Sequence, residues 1–387
     1  MTQLDSTIAP PSDTPAIPPK RTRARKTAAP KIESVNPAAS LIRALKFISV
    51  AQKKAGTPSQ QFCNLSYNWA AATNEVLTVA TRIEEDLTAC PHTLSFLDAL
   101  GKCSDDLSIT QLSPQTLAVN SGVFKGLINC GSFDEIRIPA PDPFCATIDD
   151  RVKTALEAVA VLATEGAPNA TFAAVLLQSG TAVATNGHAL LEYWHGVDLP
   201  PNLMIPKASA VAIAKSGKPL KGFGFSESSA TFWFEDGSFI KTQLYNEHYP
   251  NYKYTIEAEG LNPWPLPDAF FKGVKIIESF AEDGIIYFDK GVLKSNKRID
   301  DASTYKIEGL PDGLAFGGKY LTMLEPFMKK VHFEVADFGP KAYFFGENVR
   351  GALMGVKLTA NEREEFVGGQ KSQTTGDFSG MDDDIPY

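Results

Sequence analysis

The sequence predicts an α+β protein of three repeated domains, each with two helices packed on antiparallel sheet. Three observations point there. Asn186-Gly187 lies between two apolar runs, a strong hairpin signal because both central residues must take positive φ, and a fainter copy sits at Asn74-Glu75, 112 residues earlier. Gly122-Val123-Phe124-Lys125 is echoed by Gly237-Ser238-Phe239-Ile240-Lys241 and, more loosely, by Gly346 to Gly351. Amphipathic helical patterns open near Ala39, Asp149 and Pro267. Repeats about 110 residues long are whole domains, far longer than a solenoid unit. The expected division is 1–35 as a basic, Pro-rich tail, domains at 36–146, 147–258 and 259–358, and 359–387 as an acidic tail.

Residues 1–35 lack periodic apolar positions and carry the cluster Lys20-Arg21-Thr22-Arg23-Ala24-Arg25-Lys26, so composition predicts disorder, with contact to nucleic-acid phosphates as one role. Domain 1 opens with a helix expected over Ala39 to Ala55. On a helical wheel Leu41, Ala44, Leu45 and Ile48 share one side, opposite Arg43, Lys46, Lys53 and Lys54. Strand-like runs follow over Trp69 to Arg82. A short helix is expected over His92 to Lys102, then strands Leu107 to Leu112 and Leu117 to Ile128 around Ser113-Pro114.

Domain 2 repeats the plan. A helix over Ile148 to Thr164 bears Arg151 and Lys153. Phe172 to Gln178 and Thr181 to Tyr193 form the central hairpins. Pro206 to Ser216 is a helix with Pro near its first turn and Lys207 and Lys215 at its ends. Ala230 to Phe234 and Ser238 to Leu244 flank Asp236-Gly237, a second hairpin signature. In domain 3 the first helix carries Lys272 and Lys275 beside Phe271, Val274 and Ile277. Strands Ile285 to Phe288 and Val292 to Ser295 come next, then a helix over Lys319 to Lys330 kinked or split at Pro326. The last strands are Val331 to Ala336, Ala342 to Phe345 and Ala352 to Leu358.

Composition narrows the function. Hydrophobic content of 43% and charged content of 21% are those of a soluble globular protein. No apolar run reaches the 18 or so residues of a membrane span, and no signal-peptide core opens the chain. Five cysteines without C-x-x-C spacing read as reduced core thiols of a cytoplasmic protein. The net charge of −8 argues against nucleic-acid binding by gross charge. Basic residues confined to one surface stay compatible with it, and the Lys/Arg bias recurs on the first helix of each domain. There is no phosphate-binding glycine loop, no dinucleotide fingerprint and no metal-ligand spacing. The five histidines lack carboxylate or nucleophile partners at motif spacing, and His188, after a turn, reads as a surface or half-buried structural residue. No catalytic residues, metal or cofactor are expected: the pattern is that of a binding protein.

Several stretches resemble the bacterial β sliding clamp, in a divergent form such as a phage encodes. Ala184-Thr185-Asn186-Gly187-His188-Ala189-Leu190 is similar to the family's A-T-D-G-H-R-L stretch. Tyr249-Pro250-Asn251-Tyr252 is similar to its aromatic-Pro-Asp-Tyr segment, and Met354-Gly355-Val356-Lys357-Leu358 to its terminal M-P-M-R-L. Pro91 to Leu100 and Asn120 to Phe124 resemble parts of its first domain. The resemblance spans residues 36–358. It implies clamp-type domains in a homodimer closing into a six-domain ring, whose inner helix faces meet duplex DNA without reading sequence. The candidates are Arg43, Lys46, Lys53, Arg151, Lys153, Lys207, Lys215, Lys272 and Lys275. It also implies a pocket between domains 2 and 3 for linear peptides of a DNA polymerase and a clamp loader, walled by Phe172, Thr185, Gly187, His188, Leu190, Pro250, Met354, Val356 and Leu358. Ala189 stands where the family has Arg, Tyr254 where a second Arg falls, and Gly355-Val356-Lys357 replaces Pro-Met-Arg, so peptide preference is expected to differ.

The end of the chain, Asp382-Asp383-Asp384-Ile385-Pro386-Tyr387, resembles the acidic docking tip of bacterial single-stranded DNA-binding proteins, with Tyr for the final Phe. That implies host replication or repair proteins that read such a tip as further partners, in the cytoplasm of a bacterial host. The alternative reading is a single-stranded DNA-binding or annealing protein carrying its usual tip. Against it stand the acidic core and the lack of an interleaved basic–aromatic groove.

Overall fold

In the computed structural model, residues 36–297, 302–336 and 339–359 are described. The expected tails, with the Lys20–Lys26 cluster and the Asp382–Tyr387 tip, lie outside them. Six helices of seven residues or more occur among the described residues: α1 Ala39–Ile48, α2 Thr93–Gly101, α3 Asp150–Ala160, α4 Lys207–Ala214, α5 Phe270–Glu278 and α6 Gly318–Leu324. They pack in the pairs α1 with α2, α3 with α4, and α5 with α6.

The helix bounds follow local chemistry. Asp149 and Asn169 cap helix starts by accepting from the amides of Arg151 and Thr171, and His92 Nδ1 accepts from Ser95 N at the start of α2. The first helix stops short of its expected end: one turn of 3-10 helix covers Ser49–Ala51, and Gln52 is extended. Lys53 and Lys54 therefore leave the α1 face to which periodicity assigned them. α6 ends at Leu324, two residues before Pro326, instead of continuing to Lys330. The expected strand Leu117 to Ile128 divides at Gly122, which takes φ +57, into Thr116–Ser121 and Phe124–Asn129.

The repeat is visible in turn geometry. Two-residue turns join strands at Tyr67-Asn68, Ser179-Gly180 and Lys290-Gly291. The following hairpins also match in the first two repeats. Asn74 Oδ1 accepts from the amides of Val76 and Leu77, and Asn186 Oδ1 from those of His188 and Ala189. Glu75 at φ +77 occupies the place of Gly187 at φ +85. The expectation of two positive φ values at Asn186-Gly187 is corrected: only Gly187 has one, because the Asn186 side chain ties down the longer loop instead.

Strand pairing runs through the expected domain boundaries. One sheet orders its strands 64–66, 69–73, 77–82, 239–243, 229–234, 220–225 and 144–147. A second orders 203–206, 174–178, 181–185, 189–194, 349–354, 339–346, 330–336 and 264–265. Strand Leu77–Arg82 thus pairs antiparallel with Phe239–Gln243, and Ala189–Trp194 with Val349–Met354. Strand Phe144–Thr147 pairs with Leu220–Phe225, so a boundary at residue 146 cuts through it. Two smaller sheets hold strands 107–113, 116–121 and 124–129, and strands 304–306, 292–294, 285–289 and 314–317.

The second large sheet is buried on both faces, and alternation sorts its residues. Val175, Leu177, Ala182, Ala184, Leu191 and Leu353 join the core that includes the helices' apolar sides. Leu176, Val183, Leu190, Met204 and Ala352 point the other way, under Tyr249, Tyr252 and Ile256 of the connection that follows strand Phe239–Gln243. Fully burying residues such as Leu41, Leu45 and Ile48 contributes about 1.5–3 kcal/mol each before conformational entropy is charged.

Cys63, Cys90, Cys103 and Cys130 are buried free thiols, but Cys145 is exposed, a departure from the expected all-core set. No helix among the described residues is long and apolar enough to cross a membrane.

Candidate functional site

A cavity of about 190 Å³ opens on the second large sheet, on the face away from the helices. Phe172, Thr185, Gly187, His188, Leu190, Pro250 and Met354 line it, seven of the nine residues expected there. The other two are corrected: Leu358 is buried against Tyr287 and Ala315, with Val356 packed beside it, because the Val356 amide donates to Ala315 O (2.7 Å) and draws the chain over that strand.

Each wall has a local cause. The 186–188 loop is pinned by Asn186, and Met354 N donates to His188 O (2.8 Å), so the loop and the last strand meet at one edge. Gly187 is required there: φ is +85, and a Cβ would approach the Phe172 ring to 3.3 Å. His188 is exposed, as expected, and stacks on Tyr320 with centroids 4.8 Å apart.

The opposite wall is the Tyr249–Thr255 segment. The Tyr252 hydroxyl donates to Glu192 (2.6 Å), and the Arg350 guanidinium donates to the other oxygen of the same carboxylate (2.6 Å). Glu192 and Arg350 stand opposite each other on the paired strands, so the cross-strand contact that ties the second and third repeats also holds a pocket wall. Burial, helped by the Glu192 carboxylate, holds the Tyr252 phenol well above the usual range. Burial raises Tyr249 too, and its hydroxyl has no hydrogen-bond partner among the described residues. Residue-by-residue matching missed Thr171, Tyr249, Tyr252, Tyr254, Thr255 and Ala352; strand alternation signalled Ala352 and the aromatic cluster signalled the tyrosines.

The basic candidates divide. Arg43, Lys46 and Lys215 converge on one depression of about 340 Å³ between α1 and the C-terminal end of α4, and none is in an ion pair with a described residue. Lys272 is exposed on α5. Arg151 is exposed but held by Asp149 (2.8 Å), and Lys275 pairs with Glu325 (2.6 Å). Lys53 and Lys207 line another depression that also holds Glu75 and Glu165. Two residues are corrected as free surface charges. Lys153 is largely covered and donates to Lys218 O (2.8 Å), and Lys207 donates to Ala163 O (2.6 Å), because both stems lie along the packed α3–α4 region. Lys218, absent from the expectation, also reaches the first depression, but it bonds Thr81, Ser238 and Asp236.

The chain is built of repeated helix-on-sheet units, with a junction pocket on one face of a sheet and helices on the other. Solved structures supply the particular likeness. The DnaN sliding clamp (DNA polymerase III subunit β) of Pseudomonas aeruginosa, bound to griselimycin, is 13% identical with a TM-score of 0.68. The Caulobacter crescentus β sliding clamp, with polyethylene glycol bound to its putative β-motif tethering region, is 15% identical with a TM-score of 0.70. The Thermotoga maritima DNA polymerase III β subunit is 12% identical with a TM-score of 0.68. Each alignment covers 83% of this chain and 98% of the other. The chain has the sliding-clamp fold. No protein-family profile and no curated protein matches its sequence.

Proposed function

We propose that this chain is a non-catalytic sliding clamp: two copies join head to tail, encircle duplex DNA without reading its sequence, and tether a DNA polymerase and its loader through peptides held in the junction pocket. The observation that carries the reading is the pattern of sheet edges. At both internal junctions the third strand of one repeat pairs with the last strand of the next, 77–82 with 239–243 and 189–194 with 349–354. The same rule leaves Thr304–Lys306 and Phe124–Asn129 as edges unmated among the described residues. A second copy satisfies both at once, and a head-to-tail contact made twice closes a ring. Exposed apolar residues flank these edges: Val123 and Leu127 at one, and Ile276 on α5, which packs on the other, with Phe280 just past the end of that helix. Such edges otherwise invite uncontrolled association.

In that ring the helices with Arg43, Lys46, Lys215 and Lys272 meet phosphates, a contact that carries no sequence information. The acidic tip adds host proteins that read such tips, in a bacterial cytoplasm. Negative-stain electron microscopy of the purified protein tests the reading. A six-lobed ring with a central hole is expected, and compact particles without a hole refute it and favour the single-strand-binding alternative.

A further inference from the structure

The last described strand ends at the pocket. Met354 closes that strand and lines the cavity. Thr359 lies five residues further on, so at most roughly 18 Å of chain separates the two. Residues 360–387 then run to the terminal Ile385-Pro386-Tyr387, preceded by three aspartates. A coil the length of residues 360–381, about 22 residues, has a root-mean-square span of about 23–28 Å. Span and tether match.

We propose that the C-terminal tip docks in the pocket of its own chain and competes there with partner peptides. The proposal rests on reading the cavity as a peptide pocket. The chemistry is complementary at three points. Apolar walls from Phe172, Leu190 and Met354 suit Ile385 and Pro386. The Tyr249 hydroxyl, buried without a partner among the described residues, is a donor that a tip carbonyl satisfies. Lys253, exposed between the wall residues Tyr252 and Tyr254, and Lys319, exposed beside the Tyr320 ring that stacks on His188, have no carboxylate partner among the described residues. They carry charge opposite to that of Asp382-Asp383-Asp384, next in sequence to residues of the wall and of its His188 contact.

Tethering makes a weak contact effective. A linker of matching span supplies an effective concentration on the order of 1 mM. A tip with an intrinsic Kd of about 100 μM would then occupy its pocket about nine-tenths of the time and weaken a competing peptide about tenfold. Partners of high affinity displace it and free the tip for proteins that read acidic C-termini. The pocket is thereby guarded without being closed.

Fluorescence anisotropy tests this on the full chain. The probe is the hexapeptide Asp-Asp-Asp-Ile-Pro-Tyr, fluorescein-labelled at its amino end and free at its carboxylate. The proteins are the unaltered chain and the Ile385→Ser/Tyr387→Ser form. The altered tip is expected to bind the probe about tenfold more tightly, and adding Lys253→Glu/Lys319→Glu, or separately Tyr254→Ser, to that form should weaken it at least fivefold. Equal binding to both tips overturns docking in cis and leaves the tip for other proteins. No binding to either form, or binding indifferent to both pocket substitutions, overturns the contact itself. Electron micrographs of the same samples separate the two readings. Rings without probe binding refute this inference alone, whereas the absence of rings refutes the clamp.

Discussion

Replacing Arg350 by Met tests the junction that couples sheet continuity to the pocket. The Glu192 side chain is 3% exposed and that of Arg350 is 23% exposed, and their 2.6 Å contact bridges the paired strands. Met keeps most of the aliphatic stem but leaves a buried carboxylate with the Tyr252 hydroxyl as its remaining hydrogen-bond partner among the described residues. Breaking one side of a buried pair costs about 3–5 kcal/mol. Because Arg350 is partly solvated, the lower end, about 3 kcal/mol, applies. The companion bridge to Glu257, half-exposed, adds at most a few tenths. At about 2 °C per kcal/mol for a chain this long, the first thermal transition should fall by about 6 °C in differential scanning calorimetry. Adding Glu192→Gln removes the stranded charge and should restore about half of the loss. A fall below about 1 °C, or a double variant no better than Arg350→Met, would refute the reasoning. The same variant should weaken binding to the pocket, since Glu192, which anchors Tyr252, loses its cross-strand tie.

Other outcomes follow from the same geometry. Native protein at pH 7.5 should react with a thiol reagent at Cys145 alone, while Cys63 and Cys90, pushed up to about 12 by burial, label only after unfolding; five fast thiols in the native state would contradict the core. Asp142 is buried, which raises its pKa, but hydrogen bonds from Thr231, Ser229 and Lys241 outweigh that and hold it low. Its stabilisation is therefore present above the usual carboxylate pKa near 4 and lost as pH falls through the lower folded value. Asp142→Asn should cost stability at pH 7 and little at pH 2, measured by urea titration. Arg43→Glu/Lys215→Glu should lower the salt slope of DNA retention by about 2, near 0.9 per phosphate contact. Lys153→Met, whose ammonium is bonded within the protein, should leave that slope unchanged while lowering stability.

Much of this architecture was legible in the chain. Asn74 and Asn186, 112 residues apart, make the same pair of side-chain hydrogen bonds to the backbone two and three residues on, so the repeat could be read from turn chemistry. The apolar sides of α1, α3 and α5 follow helical period, because burying a stripe is a local pattern with a global reward. Element ends were less legible. Pro326 marked a true break, but the strand expected over Leu117 to Ile128 was read through Gly122, where the chain turns, and α1 gave way to a 3-10 turn at Ser49 that helical period did not signal.

The sequence alone determined which residues point inward, where turns fall and that three similar units follow one another, since period and turn chemistry act over a few residues. The tertiary structure decided what those units do to each other. Residues 192 and 350 become partners only because two strands 158 positions apart share an edge. Lys153 and Lys207 look like free charges on a helical wheel until carbonyls of neighbouring segments accept from them. Val356 and Leu358 leave the pocket because one backbone hydrogen bond to Ala315 redirects the chain. Pairing between distant strands and the desolvation of a charge depend on groups far away in sequence, and no local pattern encodes them.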